Sequence, residues 1–171
     1  MEIKAMAMRW MAVSTLVLGT SATTLTGCDS LNAGESVEVA SEPTGWDAPF
    51  SQLLASHNSS KLGDVVRNTG VPVEEWDKLY SFTGDASPER VNDTVGIGDI
   101  EWVNRSRSTD VTMHVFVSNG KVVYAFNDQQ PRNGATSGAF STPTATVTPR
   151  AIERGYPTND TVWVLDISGG E

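Results

Sequence analysis

The stretch that most constrains how this chain can fold is Val111 to Val117, then Ser118-Asn119-Gly120-Lys121, then Val122 to Phe126. Two runs rich in β-branched and aromatic residues flank an Asn-Gly pair. A two-residue type I′ turn needs positive φ at both central positions, and Asn followed by Gly tolerates that best. The stretch therefore predicts a β-hairpin, and counting outward from the turn predicts its register. Ser118 faces Lys121, Val117 pairs with Val122, Val115 with Tyr124, and Met113 with Phe126. Side chains alternate between faces, so those last six share one face, which has to be buried. The opposite face carries Phe116 with Val123, His114 with Ala125, and Thr112 with Asn127. It is mixed in character, so it is either half covered or open. His114, Phe116 and Val123 on it form the candidate binding face.

The rest of the chain supplies partners for that hairpin. Asp47 reads as a helix N-cap with Pro49 in the first turn. Phe50, Leu53, Leu54 and His57 follow at helical spacing, so a helix is expected from Ala48 to about His57. A second helical piece is expected from Leu62 to Asn68, ended by Gly70 and Pro72. Trp76 to Phe82 alternates as a strand, with Trp76, Tyr80 and Phe82 weighted to one face. Ser87-Pro88-Glu89 starts a short helix that should run to about Thr94. Ile100 to Val103 reads as a strand and Thr144 to Thr148 as a weak edge strand. A short helix over Arg150 to Glu153 is expected next. Thr161 to Ile167, β-branched and aromatic, is expected to be a central closing strand. Together these predict an α+β fold with a small antiparallel sheet of about four to five strands and short helices on one face. It occupies residues 46–168, with 169–171 as a tail.

Catalytic and metal chemistry find little support in the residue pattern. The two histidines, His57 and His114, stand far apart, and Cys28 is the only cysteine. No Cys or His spacing suits a metal, no cofactor motif is present, and no nucleophile elbow occurs. The expectation is a chain with no catalytic set, no metal and no cofactor. His57 suits the negative end of its helix. Glu74-Glu75-Trp76-Asp77 reads as a solvated approach to a strand. The four tryptophans beyond the leader, Trp46, Trp76, Trp102 and Trp163, read as core. The sequence has 12 basic and 21 acidic residues, a net charge of −9, which argues against non-specific nucleic-acid binding. The long Gly/Asn/Pro-rich stretch 128–141, with Arg132 and Phe140 as its most interaction-capable residues, is of the length that is usually functional or mobile.

The N-terminal end has its own logic. Lys4 and Arg9 precede an apolar run, Trp10 to Leu18, and small and hydroxylated residues follow. This is the layout of a secretory leader. The apolar run is too short for a permanent span, which needs about 20 apolar residues. Leu25-Thr26-Gly27-Cys28 then resembles a bacterial lipobox. That resemblance implies a diacylglyceryl thioether on Cys28 and cleavage between Gly27 and Cys28. Two acyl chains anchor stably, at about 0.8 kcal/mol per buried methylene. The domain organisation that follows is a leader over 1–27, a lipidated N-terminus and disordered acidic tether over 28–45, then the folded domain.

The folded part resembles a recurring type of small bacterial lipoprotein, actinobacterial in kind and uncharacterised in activity. The residues that carry the resemblance are Trp76-Asp77-Lys78-Leu79-Tyr80-Ser81-Phe82, Ser87-Pro88-Glu89, and His114 to Val123. It implies an α+β fold and no known activity, and only Cys28 carries over as a functional residue. The expected function is a membrane-anchored, extracytoplasmic, non-enzymatic binding or envelope-accessory domain. Its partners would be the cell membrane, through Cys28, and a protein or small ligand, with no nucleic acid. The alternatives are a surface hydrolase using His114 near the 128–141 loop, and an inhibitor presenting that loop.

Overall fold

A computed structural model describes residues 34–129, 139–155 and 160–168. Asn119 and Gly120 turn the central hairpin at φ 51° and 73°, the two positive values that Asn-Gly predicts. It joins β6 (Thr112–Ser118) to β7 (Lys121–Asp128). These two are the middle of a five-stranded sheet that also holds β2 (Ala40–Ser41), β4 (Lys78–Thr83) and β8 (Phe140–Ser141), in the order β2-β7-β6-β4-β8. Every pairing in it is antiparallel except β2 with β7, which is parallel. β6 is buried along six of its seven residues, as expected of a strand covered on both faces.

The hairpin register departs from the count. Ser118 faces Lys121 and Val117 faces Val122, but the next pair is Phe116 with Tyr124. Val123 is the extra residue of a β-bulge, and beyond it every pairing shifts by one. Val115 faces Ala125, His114 faces Phe126, and Thr112 faces Asp128. Phe126 and Tyr124 thereby move to the face of His114 and Phe116, and Ala125 moves to that of Val115. The physical reason lies across the sheet: the shift lets Phe126 meet Trp46 edge-on at 4.8 Å, a contact the unbulged ladder would forbid.

Two cores result, one on each face of the sheet. The first gathers Phe116, Phe126 and Leu79 under Trp46 and the helices α1 (Asp47–Ser56) and α2 (Leu62–Arg67), which contribute Phe50, Leu62, Val65 and Val66. Trp76 packs here too, at 5.4 Å from Phe116, and not with Tyr80 and Phe82 as its spacing suggests. The chain is not yet extended at Trp76, since β4 begins at Lys78. The second core holds Tyr80, Phe82, Met113, Val115 and Val91, the last from α3 (Pro88–Val95). The fold is α+β, with its helices divided between the two faces.

α3 shows the chemistry of its ends. The Ser87 hydroxyl accepts the Arg90 amide at 3.2 Å, Pro88 takes the first turn, and Gly96 closes the helix at φ 74°. By contrast Asp47 does not cap α1. It is the first helical residue, after Trp46, which makes no side-chain cap bond. Glu89, exposed in the first turn of α3, has its carboxyl held below the usual range by the backbone amide it accepts and then by the Ser87 hydroxyl. That contribution is therefore present above the ordinary glutamate value and is lost as pH falls through the folded one. Ser87→Ala is expected to cost about 1 kcal/mol in urea unfolding, with the Glu89 titration midpoint, read by NMR, moving up.

Residues 36–41 are not tether. β1 (Ser36–Glu38) pairs in parallel with β5 (Glu101–Val103), and β2 follows at once. Val39 between them is 2 % exposed and Val37 packs on the same core, so burial of these two side chains outweighs the polar composition around them. The last strands form a separate sheet, in the order β10-β9-β3. It consists of β3 (Ser60–Lys61), β9 (Thr146–Glu153) and β10 (Thr161–Ser168). Two expectations change here. Arg150 to Glu153 continue a strand instead of forming a helix, because β10 offers them a full antiparallel ladder. Thr161 to Ile167 lies at the margin of its sheet, not at the centre. Val147 and Leu165 carry the inner face of this sheet into the first core.

Candidate functional site

The buried polar groups of the first core converge on His114. Ser81 faces His114 directly across β4 and β6, and its Oγ lies 2.9 Å from the imidazole Nδ1. The bulge at Val123 brings Asp128 to the same face, diagonal to His114, with its Oδ2 at 3.2 Å from Nε2. The residue before α1, Trp46, donates its indole N–H to that same oxygen at 3.1 Å. His114 is 1 % exposed, Asp128 0 % and Trp46 1 %. An ionised carboxylate can only accept, so beside it Nε2 carries the imidazole proton. Ser81 Oγ is the partner of Nδ1 on the other side of the ring.

Hydroxyl, imidazole and carboxylate in that order is the series used to activate a nucleophile. Catalysis also needs a route for substrate and donors aimed at an oxyanion. The rings of Trp46 and Phe126 each lie 5.1 Å from the imidazole and close over it. The arrangement satisfies buried polar groups and ties three strands to the start of α1. Among the described residues no buried side-chain nitrogen or oxygen lacks a hydrogen-bond partner.

Beside this network, ligand oxygens of Glu42, Asp47 and Asp128 lie within 4.8 Å of one another. Three carboxylates are the right kind of donor for a hard cation but short of the six to eight oxygens that Ca²⁺ takes. Glu42 also accepts the Gln129 amide at 3.0 Å, and Asp128 holds Trp46.

The surface offers shallow polar clefts. One of 380 Å³ is bounded by Arg67, Glu74, Glu75, Trp76, Asp77 and Asn119. The three carboxylates there are exposed, as a solvated approach to β4 requires, and Asp77 accepts the Asn119 amide. A second, of 290 Å³, lies between the Gly96–Ile100 segment and the hairpin tip.

The residues of the candidate binding face part company. His114 and Phe116, at 1 % and 0 % exposure, are core; Val123, at 46 %, is the bulge. The face was expected to be half covered or open; His114 and Phe116 are instead buried outright. His57, exposed and at φ 55° beyond α1, stacks on Trp163 with centroids 3.6 Å apart. Phe140 packs against Tyr80 at 5.7 Å, with the Lys78 ammonium 4.6 Å over its ring. Gly27, Cys28 and Arg132, with residues 130–138 of the long loop, lie outside the described residues. Missed in the sequence were Ser81, Asp128 and Trp46 as the partners of His114. Among the described residues no helix is long and apolar enough to cross a membrane. No family model, curated protein or solved structure matches the chain.

Proposed function

We propose that the chain is an exported lipoprotein, held on the extracytoplasmic side of the cell membrane by lipid on Cys28. Its folded part is a non-enzymatic binding or envelope-accessory domain for a protein or small ligand. The observation that carries this reading is Leu25-Thr26-Gly27-Cys28 at the end of a basic-then-apolar leader, with the only cysteine of 171 residues at its last position. The burial of His114 and Asp128 supports a binding domain over a hydrolase, since the imidazole has no open route to a substrate among the described residues.

Cells fed radiolabelled fatty acid are expected to label the native chain and to lose all label on Cys28→Ser. They should also accumulate an uncleaved precursor of that variant. Label that persists without the thiol, or a native protein that keeps residues 1–27, overturns the assignment. For the binding role, cross-linking of the native chain in membranes is expected to capture a protein or small ligand. Recovery of nothing counts against it.

A further inference from the structure

The Asn-Gly pair that turns the central hairpin carries a chemistry of its own. An asparagine before a glycine sets an electrophilic carbon, Cγ, within reach of a main-chain nitrogen that no side chain shields. Among the described residues only Asn119 stands before a glycine. Both residues are exposed at the tip, and a Cβ on Gly120 would meet nothing within 4 Å. The last pair of the ladder is Ser118 with Lys121, so the Gly120 amide lies beyond the paired strands. The Asn119 side-chain nitrogen donates to the Ser118 hydroxyl at 3.3 Å.

The other described asparagines are held or hindered. Asn92 and Asn127 are buried, with both ends of each amide bonded. Asn68 donates to the Asp64 carbonyl at 2.9 Å. Asn58 and Asn104 are exposed but precede Ser59 and Arg105, whose side chains crowd the nitrogen that would have to attack.

We infer that Asn119 is a site of spontaneous deamidation in the folded protein. The Gly120 nitrogen gives up its proton to base and bonds to Cγ of Asn119. The bond from Cγ to the side-chain nitrogen breaks, and that nitrogen takes up a proton and leaves as ammonia. Water then opens the resulting succinimide at either carbonyl. Opening at Cγ leaves aspartate, and opening at the main-chain carbon leaves isoaspartate. Water is the only co-reactant, and nothing is oxidised or reduced. The turn, with Asn119 at φ 51°, has to open for the attack, and an exposed tip beyond its ladder opens at low cost. Either product sets a new carboxylate beside Asp77, whose own carboxylate accepts the Asn119 amide. That charge falls on the rim of the 380 Å³ cleft that already holds Glu74 and Glu75. Isoaspartate also lengthens the main chain by a methylene, which a two-residue turn cannot absorb in register.

The test incubates the full chain in mildly alkaline buffer made with heavy-oxygen water. Peptide mass spectrometry is expected to find Asn119 converted to an acid carrying solvent oxygen, as a mixture of aspartate and isoaspartate. Conversion should slow in mildly acidic buffer, because the attacking nitrogen has to lose its proton. Asn58 and Asn104 should remain amides. Asn133-Gly134 is the only other such pair in the chain, and digestion places it in a different peptide. No conversion at Asn119, conversion only after unfolding in urea, or equal conversion at Asn58 and Asn104 overturns the proposal. Asn119→Asp copies one product and keeps a pair suited to the turn. It is expected to fold with a lowered urea midpoint, and the drop should vanish in an Asp77→Asn background. An unchanged midpoint, or a drop that survives Asp77→Asn, overturns the effect assigned to Asp77.

Discussion

Asp128→Ala is expected to lower the stability of the folded domain by about 3–5 kcal/mol, read as a shift of the urea midpoint. The carboxylate is fully buried and accepts from Trp46 while holding the Nε2 side of His114. Alanine strands both donors in a site without water access, and each stranded donor costs about 1–3 kcal/mol. A cavity adds to this. Asp128→Asn should lose roughly 1–2 kcal/mol. With its amide oxygen in the place of Oδ2 it still accepts from both Trp46 and Nε2, and what is lost is the charge that strengthened those two bonds. An alanine variant within 1 kcal/mol of the parent would show that the network is not what joins β7 to α1.

Phe116→Ala is expected to cost a further 3–5 kcal/mol in the same measurement, roughly that of any large aromatic removed from a core. The ring is 0 % exposed, edge-on to Trp76 at 5.4 Å and stacked at 6.5 Å on Phe126. The neighbouring Val123→Ser should fall within about 0.5 kcal/mol, as exposed substitutions do. Sequence pattern had put these residues together on one candidate binding face, so the pair of variants separates them cleanly. A small loss for Phe116→Ala, or a large one for Val123→Ser, would contradict the observed register.

What could be read from the sequence was local chemistry. Ser87-Pro88 and Gly96 bound α3, and Asn119-Gly120 turns the hairpin, because caps and turns are decided by the residues that form them. The bulge has no such signature: Lys121-Val122-Val123-Tyr124 reads as unbroken strand. The shifted ladder serves contacts with Trp46, far away in the chain, and lets Asp128 face the imidazole of His114. The core site was therefore invisible even though His114 had been singled out. The alternation from Val37 to Ala40 was legible but brief, and the acidic, polar residues around it read as tether. The β-branched composition of β10 signals a strand, but nothing in it distinguishes a strand with two neighbours from a strand with one.

The four described tryptophans fall into two optical populations. Trp46, Trp76 and Trp102 are 1 %, 8 % and 8 % exposed, against 40 % for Trp163. A collisional quencher such as acrylamide therefore reaches mainly one indole of the folded domain. That indole, on β10 over His57, is expected to emit at longer wavelength than the three shielded ones, whose emission should move to the red when the cores open. One cuvette thus follows two separate events, events at the β10 margin at the red end and loss of the interior at the blue.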